Sequence, residues 1–163
     1  MKKYALIMLL LAAAVNATPQ LKTTPLCPGI IVNILEGNVN GIEPDFKNSK
    51  IKMVLPCFTS EEADTSTLGC GGMVAYKDKD IYFYTGRGYI EIREKFKGKL
   101  SIPLMGASRS SLFNWLGYPL IKDLNWDAFK TAYGILVIHY NKANRINLLQ
   151  FTKKSTETLK LCE

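Results

Sequence analysis

Hydrophobic and polar residues alternate with a period of two through much of this chain, the pattern of strands whose two faces meet different surroundings. It is strict in Tyr89-Ile90-Glu91-Ile92-Arg93. Upstream, Gly71 to Lys77 and Asp80 to Thr85 flank Asp78-Lys79 and are rich in Tyr, Val, Ile and Phe, which predicts a tight hairpin. Lys97-Gly98 then turns into Lys99-Leu100-Ser101-Ile102, a further strand expected to pair with the one before it. Lys50 to Leu55 also alternates, places Ile51 and Met53 on one side, and stops at Pro56, so it reads as a first strand. Tyr118 to Leu124, Gly134 to Tyr140 and Arg145 to Thr152 supply three more, the last two joined by Asn141 to Asn144.

Between these runs the periodicity lapses. Thr18 to Pro28 carries three prolines and reads as an extended arm. Gly29 to Asp45 holds a short apolar burst, Ile30-Ile31-Val32 with Ile34 and Leu35, followed by the turn formers Gly37, Asn38, Asn40 and Gly41. Cys57 to Gly69 is polar enough for an exposed loop, with one helical turn expected around Glu61 to Asp64. Gly106 to Gly117 is a serine-containing loop that nevertheless carries Leu112, Phe113, Trp115 and Leu116. Exposed loops are seldom so apolar, so this one either caps a core or lines an opening. Ser155 to Leu161 begins a short helical turn capped by Ser155 or Thr156.

Eight strands linked mostly by short turns, without a helical crossover, predict an all-β fold: an eight-stranded antiparallel up-and-down β-barrel. Closure removes the two edges an open sheet would expose. The interior of such a barrel holds side chains or one small ligand. A β-sandwich is the structural rival.

The N-terminus adds an address. Lys2 and Lys3, the apolar run Ala5 to Val15 and the small-residue exit Val15-Asn16-Ala17 make the three-part plan of a secretory signal peptide over residues 1–17. Eleven apolar residues are too few for a membrane span, which needs about 20. No later stretch predicts a transmembrane segment, so a secreted single domain of residues 18–163 is expected. Removing Lys2 and Lys3 from the 21 basic residues leaves 19 against 14 acidic, a mature net charge of +5. The lysines are scattered among apolar residues, which argues against a nucleic-acid partner. Cys27, Cys57, Cys70 and Cys162 all follow the signal and predict two disulfides in one of three pairings. None stands at zinc-knuckle spacing from another and His139 is the sole histidine, so no metal or other cofactor is expected.

Catalytic chemistry needs a nucleophile with a base or paired acids in a cleft, and no such motif occurs. His139 lies inside an apolar strand, and Glu61, Glu62 and Asp64 sit in a polar loop as solvent-facing charges. Binding fits better, because aromatic and branched strands build apolar cavities. The candidate lining residues on the alternating faces are Val74, Tyr76, Ile90, Ile92, Leu100, Ile102 and Leu120, with Trp115 near the mouth.

Several pieces, taken in order, resemble a known family. Met73-Val74-Ala75-Tyr76, Asp80 to Tyr84 and Gly86-Arg87-Gly88-Tyr89 resemble strands B to D of lipocalins of the apolipoprotein D and bacterial lipocalin type. Phe96 to Pro103 is similar to their strand E, Tyr118 to Leu124 and Tyr133 to Val137 to the strands that follow, and Ile146 to Lys154 to strand H. The Gly-x-Trp motif of that family is absent from Lys47 to Leu55, and its arginine after strand H is missing. The resemblance implies a calycin-type barrel that carries a small hydrophobic ligand such as a fatty acid, sterol or pigment. It also implies a Cys70–Cys162 disulfide, with Cys27–Cys57 as the other pair. A second expectation belongs to another class: a secreted interaction protein with a filled barrel, whose loops Thr59 to Gly69 and Gly106 to Gly117 bind a protein partner.

Overall fold

The computed structural model describes residues 26–63 and 71–155. The segment Met1 to Ala17, most of the proline-rich arm, Cys70, Cys162 and the helical turn expected beyond Ser155 lie outside them.

Two sheets make up the described chain. The smaller is three-stranded, with β1 (Ile31–Asn33) between β2 (Asn38–Val39) and β7 (Lys99–Leu100). The larger is antiparallel throughout and contains β3 (Ser60–Glu62), β4 (Met73–Tyr76), β5 (Ile81–Tyr84), β6 (Tyr89–Arg93), β8 (Ile121–Lys122), β9 (Trp126–Lys130), β10 (Ile135–Tyr140) and β11 (Ile146–Thr152). Its order is β3-β4-β5-β6-β11-β10-β9-β8. Helix α1 (Asn48–Val54) precedes β3, and a 3-10 turn (Arg109–Ser111) with helix α2 (Phe113–Leu116) precedes β8. Each half is therefore a short helical piece followed by a four-strand meander, and the halves meet head to head at β6 and β11. Among the described residues the ladder ends at β3 and β8, which do not pair with each other.

The sequence predicts an eight-stranded antiparallel barrel; the structure has an eight-stranded antiparallel sheet with no closure among the described residues, and several of its parts differ from expectation. Lys50 to Val54 is helical and Leu55 caps it: Ile51 and Leu55, four apart, are buried, whereas Met53 is 81% exposed. The helical i, i+4 spacing thus overrides the apparent alternation. Glu61 is extended in β3 instead of helical, because Ser60–Glu62 pairs with β4. Lys99 and Leu100 do not pair with β6. The edge of β6 is taken by β11 through five residue pairs, Leu148↔Arg93 to Thr152↔Tyr89, and β7 instead runs parallel to β1. The strand β9 has no counterpart among the expected eight.

The core lies on one face of the large sheet. A row of side chains crosses six strands in register, Val74, Phe83, Ile90, Phe151, Leu136 and Phe129. All six are buried. The N-terminal layer covers them with Ile30, Val32, Ile34, Val39, Ile42, Ile51 and Leu55. Its turn at Gly37 has a φ of +61° and lies against the Tyr133 ring, where a Cβ would overlap the aromatic carbons. A disulfide joins Cys27 and Cys57, anchoring the start of this layer beside the end of α1.

The opposite sheet face carries polar groups held in a chain. The His139 imidazole donates from Nε2 to Gln150 Oε1 at 3.2 Å, and Gln150 Nε2 donates to Glu91 Oε2 at 3.0 Å. Arg93 completes it, binding Glu91 Oε1 at 2.6 Å and lying 4.1 Å from the Tyr82 ring centroid. Burial holds the His139 pKa below its ordinary value, against the upward pull of Gln150 and Glu91.

Candidate functional site

The segment after β7 is tied down before it opens outward. Gly106 donates its backbone N–H to Ile146 O, Ile146 N–H returns to Ala107 O, and Arg109 N–H reaches Asn144 O, at 2.9, 3.0 and 3.1 Å. These bonds clamp the 3-10 turn to the connection between β10 and β11. Leu112 then plugs into the core, and α2 ends at Gly117, whose φ of +72° reverses the chain toward β8. The β8–β9 hairpin returns with Lys122 opposite Asp127, so both side chains stand on the core-side face.

That face turns polar at its edge. Asp127 occupies a position in register with Ile138, and only 4% of its side chain is exposed. Its charge is met by Arg109, which donates from Nε to Oδ2 at 3.0 Å and from Nη2 to Oδ1. Tyr140 adds a hydroxyl donor to Oδ2 at 2.6 Å, beneath the guanidinium, whose centre is 4.7 Å from the ring centroid. The remaining Arg109 donors close on Asp123 O at 2.6 Å and Leu124 O at 3.1 Å. The bond to Asp127 raises the Arg109 pKa; burial, then Asp127, raises that of Tyr140. Near neutral pH the Arg109 guanidinium is thus charged and the Tyr140 hydroxyl neutral.

Around this clamp lies a cleft of about 620 Å³. Leu112 and Phe129 form its apolar floor, and Phe113 and Tyr118 form a wall with ring centroids 4.6 Å apart. Ser108, Ser110 and Asn144 supply polar rim groups. Lys122 is the one lining cation without an ion-pair partner among the described residues. The Ser108 and Ser110 hydroxyls meet each other at 3.1 Å, while His139 stands on the far side of the sheet. The cleft therefore offers apolar walls, hydrogen-bonding groups and one cation, a constellation for holding a ligand. No group of three or more His, Cys, Asp or Glu side chains gathers at metal-binding distance among the described residues.

In the first half, side chains bridge the corresponding helix and strand. Lys52 and Asn48 both bind Glu61 across α1 and β3, at 2.8 and 3.1 Å, and Lys52 lowers the Glu61 pKa. A separate space of about 90 Å³ lies beside Cys27, Leu55 and Cys57.

The eight sequence-derived lining residues fall in three places. Val74, Tyr76, Ile90 and Ile92 are buried in the packed core, with Tyr76 donating its hydroxyl to Leu55 O at 2.5 Å. Leu100 and Ile102 pack partly against that core. Trp115 and Leu120 are exposed on the segment that carries the cleft wall, without lining the cleft. The loop Gly106 to Gly117, read from its apolar content as capping a core or lining an opening, does both. The sequence reading missed Arg109, Lys122, Asp127 and Tyr140. A lone Asp inside Trp126-Asp127-Ala128-Phe129 was the available signal. No protein-family profile, curated protein or solved structure matches the chain.

Proposed function

We propose that the protein is an exported carrier of a small amphipathic anion, such as a long-chain fatty acid, held in the cleft beside β8. The observation that carries this reading is Lys122. Arg109 and Asp127 neutralise each other, so Lys122 supplies the net charge of a lining that is otherwise aromatic, aliphatic and hydroxylic. Such a lining suits an apolar body with an acidic head. The volume lies in the range of ligand pockets, about 300–1,000 Å³. The ligand class agrees with that implied by the lipocalin resemblance, although the reading needs no closed barrel: the ligand sits at the sheet edge, and the packed interior formed by Val74, Ile90 and Ile92 takes no part. Export is supported by the signal-like N-terminus together with the Cys27–Cys57 disulfide, a bond that persists in oxidising compartments.

The test is a fluorescence titration with dansyl-labelled undecanoic acid. Saturable binding is expected, and Lys122→Met weakens it about tenfold or more, the worth of a charge-assisted hydrogen bond. The methyl ester of the same probe is expected to bind the parent and Lys122→Met chains alike. Absence of saturable binding, or binding indifferent to both Lys122→Met and Phe113→Ala, overturns the assignment.

A further inference from the structure

Beyond the cleft, the same sheet edge displays apolar side chains in unusual density. Phe113, Trp115, Tyr118, Leu120, Ile121 and Leu124 are half of the twelve exposed large apolar side chains among the described residues. They fall within twelve consecutive positions, and Tyr118 and Leu124 are more than four-fifths exposed. A concentration of this kind marks an interaction surface. Its aromatic members, Trp and Tyr above all, have the amphipathic rings that settle at a membrane–water boundary.

The charges beside the patch have a consistent sign. Lys122 stands within it, and Leu120 shares a surface groove with Lys130 and Lys154. None of these three lysines has an ion-pair partner among the described residues, whereas Lys153 is held by Glu43 and Asp45. The acidic residue of the segment, Asp123, turns its carboxylate back onto the Leu124 N–H at 2.5 Å. Pairing with a second copy is disfavoured by the edge itself: β8 is two residues long, and one of the two is Lys122.

We propose that the edge formed by residues 113–124 docks onto an anionic phospholipid surface, with Trp115, Leu120 and Leu124 inserted at headgroup depth and Lys130 and Lys154 against the phosphates. Each lysine near such a surface strengthens partitioning about fivefold. Trp115, Leu120 and Leu124 do not line the cleft, so docking stands or falls separately from ligand binding.

Vesicle flotation tests it. The purified chain is expected to float with vesicles of equal phosphatidylglycerol and phosphatidylcholine, to lose that association with phosphatidylcholine alone, and to release at high salt. Trp emission shifts to shorter wavelength on docking, and the Trp115→Phe chain reports the contribution of Trp126, the other tryptophan. Trp115→Ala with Leu124→Ala reduces flotation at least tenfold at unchanged melting temperature, while the fatty-acid titration is preserved. Lys130→Glu with Lys154→Glu removes the preference for anionic vesicles. Three results overturn the proposal: no flotation with anionic vesicles, flotation indifferent to both double variants, or a lipid-free dimer that buries Trp115.

Discussion

Arg109 and Asp127, eighteen residues apart, are joined through two guanidinium nitrogens and two carboxylate oxygens. The pair fastens the turn after β7 to the β8–β9 hairpin and neutralises a carboxylate standing where the sheet would otherwise carry an apolar side chain. Removing one partner of a buried pair leaves an uncompensated charge, whereas removing both leaves packing.

Arg109→Met is therefore expected to destabilise the fold by about 3–5 kcal/mol, read as a lowered urea midpoint. Adding Asp127→Leu, in register with Ile138, recovers most of that loss. A single-variant effect below about 1 kcal/mol would show that the pair behaves as an exposed one.

His139 makes stability depend on pH. Its folded pKa is depressed by burial, so the unfolded chain takes up the proton first as pH falls. Its contribution is intact above the unfolded value of about 6.5 and is lost as pH falls from there through the folded pKa. Urea midpoints measured from pH 7.5 to 5 should fall more steeply for the parent than for His139→Gln. Parallel curves would refute the assignment.

The Cys27–Cys57 bond spans a sequence separation of 30 residues. In the chain-entropy account a loop of that size is worth about 3–4 kcal/mol. Replacing both cysteines by serine should lower the urea midpoint accordingly, with the m-value reporting any change in the compactness of the unfolded chain.

Gly134 begins the turn into β10 at a φ of +148°, and a Cβ there would strike the Thr152 carbonyl oxygen. That region of backbone space is essentially reserved for glycine, at about 1–3 kcal/mol for other residues. Gly134→Ala is expected to lose at least this much by thermal unfolding, because the obstruction is backbone and has no rotamer to relax into. A neutral variant would exclude this geometry.

Tyr89–Arg93 was legible because Ile90 and Ile92 alternate with polar residues and share the core face, and Ile135–Tyr140 because its run of branched residues suits a strand whichever face is covered. In Trp126–Lys130 the inward positions are Asp127 and Phe129, and the carboxylate breaks the apolar series; only Arg109, far away in the sequence, makes it tolerable there. Lys50 to Leu55 misleads for the opposite reason. Ile51, Met53 and Leu55 satisfy a period of two, yet Ile51 and Leu55 also satisfy a helical period, and the burial of those two with Met53 outside decides for the helix. The interior lining was unreadable at the last step: Val74, Ile90 and Ile92 face inward as the alternation indicates, but whether inward means cavity or packing depends on Ile30, Val32, Ile34 and Ile42 arriving from another layer. The cleft depended on the backbone clamp between residues 106–109 and 144–146, which has no local signature.

The meeting of β6 with β11 gives the fold a timetable. Glu91 and Gln150 are 59 residues apart, so at about 5–20 residues per second the ribosome finishes β6 some 3 to 12 s before its neighbour is made. Throughout that interval the strand that ends in the middle of the sheet is an open edge with Ile90 and Ile92 on one face. Glu91 on the other face is the kind of charge that discourages strangers from adding to an edge. The same residue is one link of a buried chain in the finished molecule and, before β11 exists, a charge on the edge that β11 will occupy.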